Sequence, residues 1–353
     1  MAAPGRRATI IDVAQLAGVS RQTVTRAVND MPGISSSTRQ RVLDAAQQLN
    51  YRPSHFGRGL VEQGPTALGV AVRDLSNTYF AELGAALVRA AAPRGWNVVL
   101  TETDHAPDPE HAARELARKV DALVGYGVAT GQLRGAVGMP VVELGDSDDI
   151  GRDRGVVELA TAPALDALVT HLRDAGVQRP VVVDLVEGEI DGETEGTRDA
   201  EIDTGSTAVT AADHAPAHRA RRLVNALAPL SADGSVPCLP ARARTGHGDL
   251  VDRVLAEQAD ALIAFNDELA VRLLRTLRGR GIDVPGRIRV VGIDGLEISS
   301  LVSPTLTTLA IDLMEVAEQT VELVAGMLEG TIPLTGPEAH RIVPFELLRR
   351  ESA

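Results

Sequence analysis

The side chains best placed for chemistry lie close to the amino terminus, at Arg21, Gln22, Thr23, Thr25 and Arg26. Guanidinium, amide and hydroxyl groups crowd one side of a short segment whose other side carries Val24, Ala27 and Val28. Arginine can donate two hydrogen bonds to the guanine edge and glutamine can pair with adenine, so this polar face suits the major groove of DNA. A second group of candidates follows apolar runs further along the chain: Tyr79 and Phe80 after LGVAVR, and Asp294 after IRVVGI. An aromatic pair or a single carboxylate at a strand end can line a small-molecule pocket, and one carboxylate can accept two hydroxyl hydrogen bonds.

The polar face needs a scaffold, which the flanking residues provide. Ile11, Val13, Ala14, Leu16 and Ala17 give helical apolar spacing over a first segment. Gly18 can take the positive φ of a helix C-terminus, and Ser20 is placed to cap the next helix. A third helix follows the loop Asn29–Gly33, with Ser35, Ser36 and Ser37 at its start and Val42, Leu43, Ala46 and Leu49 on its inner face. It stops at Asn50-Tyr51-Arg52-Pro53, because proline disfavours helix in the preceding residue.

The formal charge of −13 argues against nucleic acid only until it is divided. Residues 1–60 hold eight Arg against Asp12, Asp30 and Asp44, a balance of +5 that leaves −18 for the remainder. A basic head on an acidic body steers one end toward phosphate. With 353 residues, two or three domains are expected, and with aromatics at only 2% their cores must be aliphatic. The single cysteine, Cys238, excludes an intramolecular disulfide and fits a reducing compartment. No run of 18 apolar residues and no apolar leader are present, so a cytoplasmic protein without a membrane span is expected.

IIDVAQLAGVSRQTVTRAVN, then STRQRVLDAAQQLNYRPS, then a short segment ending Gly59-Leu60, resembles the head and hinge of the lac repressor (LacI/GalR) family. The resemblance implies an all-α helix-turn-helix head over residues 1–52 and a hinge helix or linker over 53–66. It also implies an α/β two-lobed, periplasmic-binding-protein-like effector and dimerisation domain over 67–353. Residue by residue, Arg21, Gln22 and Arg26 fall where the family reads bases. Thr9, Ser20, Thr23 and Asn29 fall at phosphate-contact positions, and Leu60 where a leucine wedges into the minor groove. Ile11 stands where relatives often carry a tyrosine. The implied protein is a homodimeric repressor of a metabolic operon, bound to palindromic double-stranded operator DNA and tuned by a sugar-like effector; an effector-independent or activating regulator is the alternative.

From Leu68 onward short apolar runs alternate with helical stretches, as in parallel α/β units. Strands are expected at 68–73, 97–101, 121–124, 140–144, 180–186, 260–265 and 288–293. Helices are expected near 79–92, 107–119, 163–175, 215–227, 248–257, 266–280 and 312–329. The resemblance implies effector contacts at Tyr79, Phe80, Arg198 and Asp294 and a crossover at Ser303–Thr308, while Asp267 itself reads as a helix N-cap and no cofactor or metal is expected. Residues 145–162 and 229–248 depart from the family pattern, the latter reading as weakly structured.

Rival readings are weaker. Gly125-Tyr126-Gly127-Val128-Ala129-Thr130-Gly131 has G-x-G-x-x-x-G spacing rather than a dinucleotide fingerprint, and Gly135 and Gly138 weaken the helix that would receive a pyrophosphate. No nucleophile elbow is present. Residues 187–205 hold eight acids and one arginine, imitating a calcium loop through Asp191, Glu193, Glu195, Gly196 and Asp199, but Ile202 stands where the bidentate Glu belongs. His214 and His218 have i, i+4 spacing without a third ligand, as do His105 and His111 without that spacing. An enzyme and a solute-binding receptor are therefore the distant alternatives.

Overall fold

A computed structural model describes residues 9–28, 31–49, 66–104, 109–127, 139–145, 154–185, 215–241 and 246–353. The head contains α1 (Ile10–Ala17), α2 (Arg21–Val28) and α3 (Ser36–Gln48). Thr9 opens α1 with a capping box, its hydroxyl accepting from the Asp12 amide while the Asp12 carboxylate accepts from the Thr9 amide. Gly18 ends α1 at φ 65°, a left-handed conformation that any β-carbon would penalise. Ser20 accepts from the Thr23 amide at 3.2 Å and so starts α2 one residue before its first turn. Ser35 does the same for α3, accepting from the Thr38 amide at 3.1 Å.

The three helices close on Val13, Ala14, Ala17, Val24, Ala27, Val42, Ala45 and Ala46, with Ile10 and Leu49 packed at the margin. Three expected core residues lie outside it, Leu43 being only partly buried. Ile11 and Leu16 remain 48% and 50% exposed, and Ile10 fills the inward place instead. The 3.6-residue period allowed either register; the capping box at Thr9 selects the one that turns Ile11 outward.

Beyond the head, two α/β units follow, one built from residues up to Leu159 together with Leu313–Val343, the other from Ala160–Asp312 with Pro344–Ala353. The first holds β1 (Ala67–Val72), α4 (Thr78–Ala91), β2 (Asn97–Glu102), α5 (Pro109–Ala117), β3 (Ala122–Gly125), β4 (Val141–Gly145) and β5 (Gly155–Ala160). The second contributes α6 (Ala162–Asp174), β6 (Pro180–Leu185), α7 (Ala215–Leu227), β7 (Cys238–Ala241), α8 (His247–Ala256), β8 (Ala261–Ala264) and α9 (Asp267–Gly279). It continues with β9 (Arg289–Asp294), α10 (Ile298–Leu301) and β10 (Thr307–Ala310). The chain then returns to the first unit as α11 (Leu313–Glu329) and β11 (His340–Pro344), and closes the second as β12 (Glu346–Leu348).

The sheet orders are β11-β5-β4-β3-β1-β2 and β12-β10-β9-β8-β6-β7. Strands β1–β5 are mutually parallel, as are β6–β10, with β12 pairing antiparallel to β10. Both sheets use one device at the foot of a central strand, written in the sequence as Asp-Ala-Leu-Val and Asp-Ala-Leu-Ile. Asp121 accepts from the Ala67 amide at 2.8 Å, and Asp260 accepts from the Gln178 and Arg179 amides at 2.8 and 2.9 Å. Each carboxylate thereby fixes the register of the neighbouring strand.

In the second unit, Val181 and Val183 face the core shared with α8 and α9. Alternation along the strand turns Val182 and Asp184 to the other face, where α7 packs on β6. The stretch 229–248, expected to be weakly structured, instead supplies β7 and the start of α8. Pro240 is tolerated in β7 because that strand lies at the sheet edge. The segment 145–162, read as a family departure, contains the strand β5, and the expected crossover Ser303–Thr308 runs into β10 at Thr307.

Candidate nucleic-acid interface and small-molecule site

On the head, Arg21, Gln22, Thr25 and Arg26 are exposed, while Val24 and Ala27 of the same helix are buried. The polar groups can therefore meet a groove without disturbing the core. Ser20 and Thr23 sit at the N-terminus of α2 with their hydroxyls 3.0 Å apart, where helix-terminal amides favour an anionic oxygen. Arg26 does not project freely. Its guanidinium lies so close to Gly33 that a β-carbon there would come within 3.0 Å of Nη1, and Gly33 holds φ 99°. The Met31 amide donates to the Arg26 carbonyl at 2.9 Å, and Arg39 donates to the Met31 carbonyl at 2.9 Å. The loop after α2 thus supports the guanidinium from behind. Thr9 is committed to the α1 capping box. Asn29 and Leu60 lie outside the described residues.

In the first α/β unit, Tyr79 and Phe80 begin α4 just after the C-terminal end of β1, where Asn77 caps the helix by accepting from the Tyr79 amide at 3.0 Å. Tyr126, at the end of the neighbouring β3, completes a trio. Ring centroids are 5.3 Å apart for Tyr79 and Phe80, 6.2 Å for Tyr79 and Tyr126, and 5.4 Å for Phe80 and Tyr126, all edge-to-face. The two tyrosine hydroxyls hydrogen-bond to each other. Sequence reasoning met Tyr126 only inside a glycine-rich loop. Its signal was its place at a strand end in a protein with very few aromatics.

In the second unit, Asp294 is the last residue of β9, 3% exposed and at φ 112°. A non-glycine residue in that region costs about 1–3 kcal/mol and marks a site where the surroundings force the backbone. Arg219 of α7 reaches it, with 3.6 Å between Nη1 and the carboxylate. The same guanidinium donates to the Phe265 carbonyl at 3.1 Å and lies 4.7 Å from the centre of the Phe265 ring. Sequence reasoning placed the guanidinium at Arg198, which lies outside the described residues; among the described residues, Arg219 occupies that place beside Asp294. It was hidden among the arginines of the α7 segment HRARR, where only the packing of α7 on β6 singles it out.

The strained backbone at Asp294 is held by Asp267, which corrects its expected role as a helix N-cap. The N-cap of α9 is Asn266, accepting from the Leu269 amide at 2.9 Å. Asp267 is the first helical residue and is fully buried. Its carboxylate accepts from Thr308 Oγ1 at 2.6 Å and from the Leu296 amide at 2.8 Å, and the Gly295 amide adds a further hydrogen bond. Gly292 makes room for it, since a β-carbon there would sit 2.1 Å from Asp267 Oδ1. Burial pushes the Asp267 carboxyl up to about 6, although these hydrogen bonds favour its charged form. Nearby, burial raises Asp184 to about 6, against the Leu185 amide and the charge of Arg219. Cys238 is pushed to about 11 by burial and by the charge of Asp184, so its thiolate, the nucleophilic form, is suppressed.

A polar-faced helix-turn-helix followed by two doubly wound α/β units, one with aromatic and one with charged side chains at its strand ends, defines the class: a DNA-binding head on a periplasmic-binding-protein-like body. Residues 9–54 match the profile described as bacterial regulatory proteins, lacI family. Residues 65–213 match the periplasmic binding proteins and sugar binding domain of that family, and residues 169–353 the periplasmic binding protein-like domain. The chain belongs to the lacI family of bacterial regulatory proteins.

Catabolite control protein A of Priestia megaterium is 27% identical over 316 residues, covering 85% of this chain and 86% of that protein. The HTH-type transcriptional regulator GalR of Salmonella typhimurium is 28% identical over 352 residues, covering 98% and 96%. Among solved structures, a LacI family transcriptional regulator from Arthrobacter sp. FB24 in complex with lactose superposes with a TM-score of 0.66 at 28% identity, covering 82% of this chain and 99% of that one. The lac repressor dimer bound to operator and an anti-inducer shares the fold, with a TM-score of 0.64 at 22% identity over 98% and 99% of the two chains.

Proposed function

We propose that this DNA-binding transcriptional regulator is a homodimeric, cytoplasmic repressor without enzymatic activity, and that a sugar-like small molecule controls its grip on a palindromic operator. One observation carries the reading: α2 presents Arg21, Gln22 and Arg26 outward from a closed three-helix core, with Ser20 and Thr23 at its N-terminal end. The described part of the chain has no helix long and apolar enough to cross a membrane. Dimerisation is supported by the operator-bound lac repressor dimer, and sugar control by the lactose complex of the Arthrobacter regulator.

In this reading residues 1–52 read the operator, 53–66 form the hinge with Leu60 as its minor-groove wedge, and 67–353 sense the effector and dimerise. Arg21, Gln22 and Arg26 contact base edges, and Thr9, Ser20, Thr23 and Asn29 contact phosphate. In the first unit Phe80, held by the buried Tyr79 and by Tyr126, marks an aromatic end of the sheet for an effector, and in the second unit Asp294 offers a carboxylate to effector hydroxyls. Arg219 supplies a guanidinium beside Asp294, and Arg198 keeps its proposed role as an effector clamp. Effector and operator then compete thermodynamically: a ligand that favours the conformation with poorer operator affinity releases the DNA.

Selection of bound fragments from a pool of random duplexes tests the reading. A twofold-symmetric consensus with half-sites about one helical turn apart is expected. An asymmetric single site, or no enrichment, would overturn the dimeric operator reader.

A further inference from the structure

We infer that Asp184 is a specificity-determining residue that turns the small-molecule site of the second unit toward ligands bearing an ammonium group beside their hydroxyls, and away from anionic ones. The inference rests on the effector reading above and narrows its ligand class.

The argument begins with charge balance. Along the C-terminal ends of three adjacent strands lie Asp294 of β9, Phe265 just beyond β8 and Asp184 of β6, spanned by Arg219 from α7. Among the described residues Arg219 is the positive charge of this cluster, and it is already engaged. It faces Asp294, donates to a backbone carbonyl and stacks on Phe265. A ligand phosphate or carboxylate would have to displace Asp294 from it and would then meet a second carboxylate. Among the described residues the cluster keeps one negative charge in excess, on Asp184.

Asp184 is built to be used. It is 5% exposed, on a strand whose alternation directs it to the α7 face and within electrostatic reach of Arg219. Its Oδ1 is buried and has no hydrogen-bond partner among the described residues. A buried carboxylate oxygen left without a donor is costly, and a ligand that supplies the donor removes that cost. An ammonium meets the demand twice, with three N–H donors and the missing positive charge. A neutral hydroxyl supplies only the donor.

The test compares matched ligands on the full-length protein by isothermal titration calorimetry: glucose, glucosamine and glucose 6-phosphate, and galactose with galactosamine. The amine-bearing member of a pair should bind about tenfold or more tighter than its neutral parent, and the phosphate not measurably. Asp184→Asn keeps shape and one acceptor, and should bring the amine and neutral ligands to equal affinity; a melting temperature near wild type confirms that the variant is folded. Equal wild-type affinity for amine and neutral sugars, tighter binding of the phosphate, a preference that survives Asp184→Asn, or no binding by any of these probes would each overturn the assignment. Neutral sugars that bind and release operator without an amine preference would remove Asp184 from the specificity role while leaving the effector reading intact.

Discussion

Replacing Asp267 with asparagine isolates the carboxylate that holds the Asp294 turn. In the folded protein burial pushes this carboxyl from the ordinary aspartate value of 3.8 up to about 6. The folded state therefore binds more protons than the unfolded state between roughly pH 4 and 6, and stability must fall as pH rises through that window. About two pH units at about 1.4 kcal/mol each give roughly 3 kcal/mol, present in full at acid pH and lost above about 6. The substituted amide would have no such titration, yet its oxygen could still accept from Leu296 and its nitrogen could donate to the Thr308 hydroxyl. Urea denaturation of wild type and Asp267→Asn, followed by circular dichroism at a series of pH values, reads the difference directly. Asp184 and every other carboxylate titrate in both proteins and cancel. Relative to the variant, wild type should lose roughly 3 kcal/mol between pH 4 and 7. A difference that stays constant with pH, or that moves in favour of wild type as pH rises, would refute the account of a buried, charge-penalised carboxylate.

Three further outcomes follow from the geometry. Arg26→Ala should cost about 1–3 kcal/mol in operator binding and relax specificity at one position per half-site; equal loss on every duplex in a competition assay would restrict Arg26 to phosphate contact. Gly292→Ala should destabilise the protein by about 2 kcal/mol or more, because the added β-carbon meets both the Asp267 carboxylate and Leu306, and a melting temperature unchanged from wild type would contradict this packing. Asp294→Ala should leave operator affinity intact and abolish its response to sugars in gel-shift titrations; a retained response would remove Asp294 from the ligand site.

The head was legible in the sequence because its signals are local. Gly18, Ser20 and the spacing of Val13, Ala14 and Ala17 each act within one or two helical turns, and all of them hold in the structure. The central strands were legible for a similar reason: buried on both faces, β1, β3 and β8 read as unbroken apolar runs, and β6 and β9 as apolar runs with Asp184 or Asp294 near their C-terminal ends. Short strands hid better. Glu158 interrupts β5, where it pairs with His340 of β11 at 2.9 Å, and Pro240 interrupts β7. Asn266 and Asp267 are adjacent and both able to cap a helix, so only the fold could assign the cap to one and the buried network to the other. Arg219 and Tyr126 lay furthest from reach, since each owes its importance to a partner brought near by packing of helices and strands far apart in the chain.

The central claim is that a basic, polar-faced head grips duplex DNA, and its most direct test is equilibrium binding of the full-length protein to a random duplex across a salt series. The account predicts measurable affinity that falls steeply, about a thousandfold or more between roughly 50 and 200 mM salt if six or more phosphates are neutralised. No affinity at low salt, or affinity indifferent to salt, would contradict it.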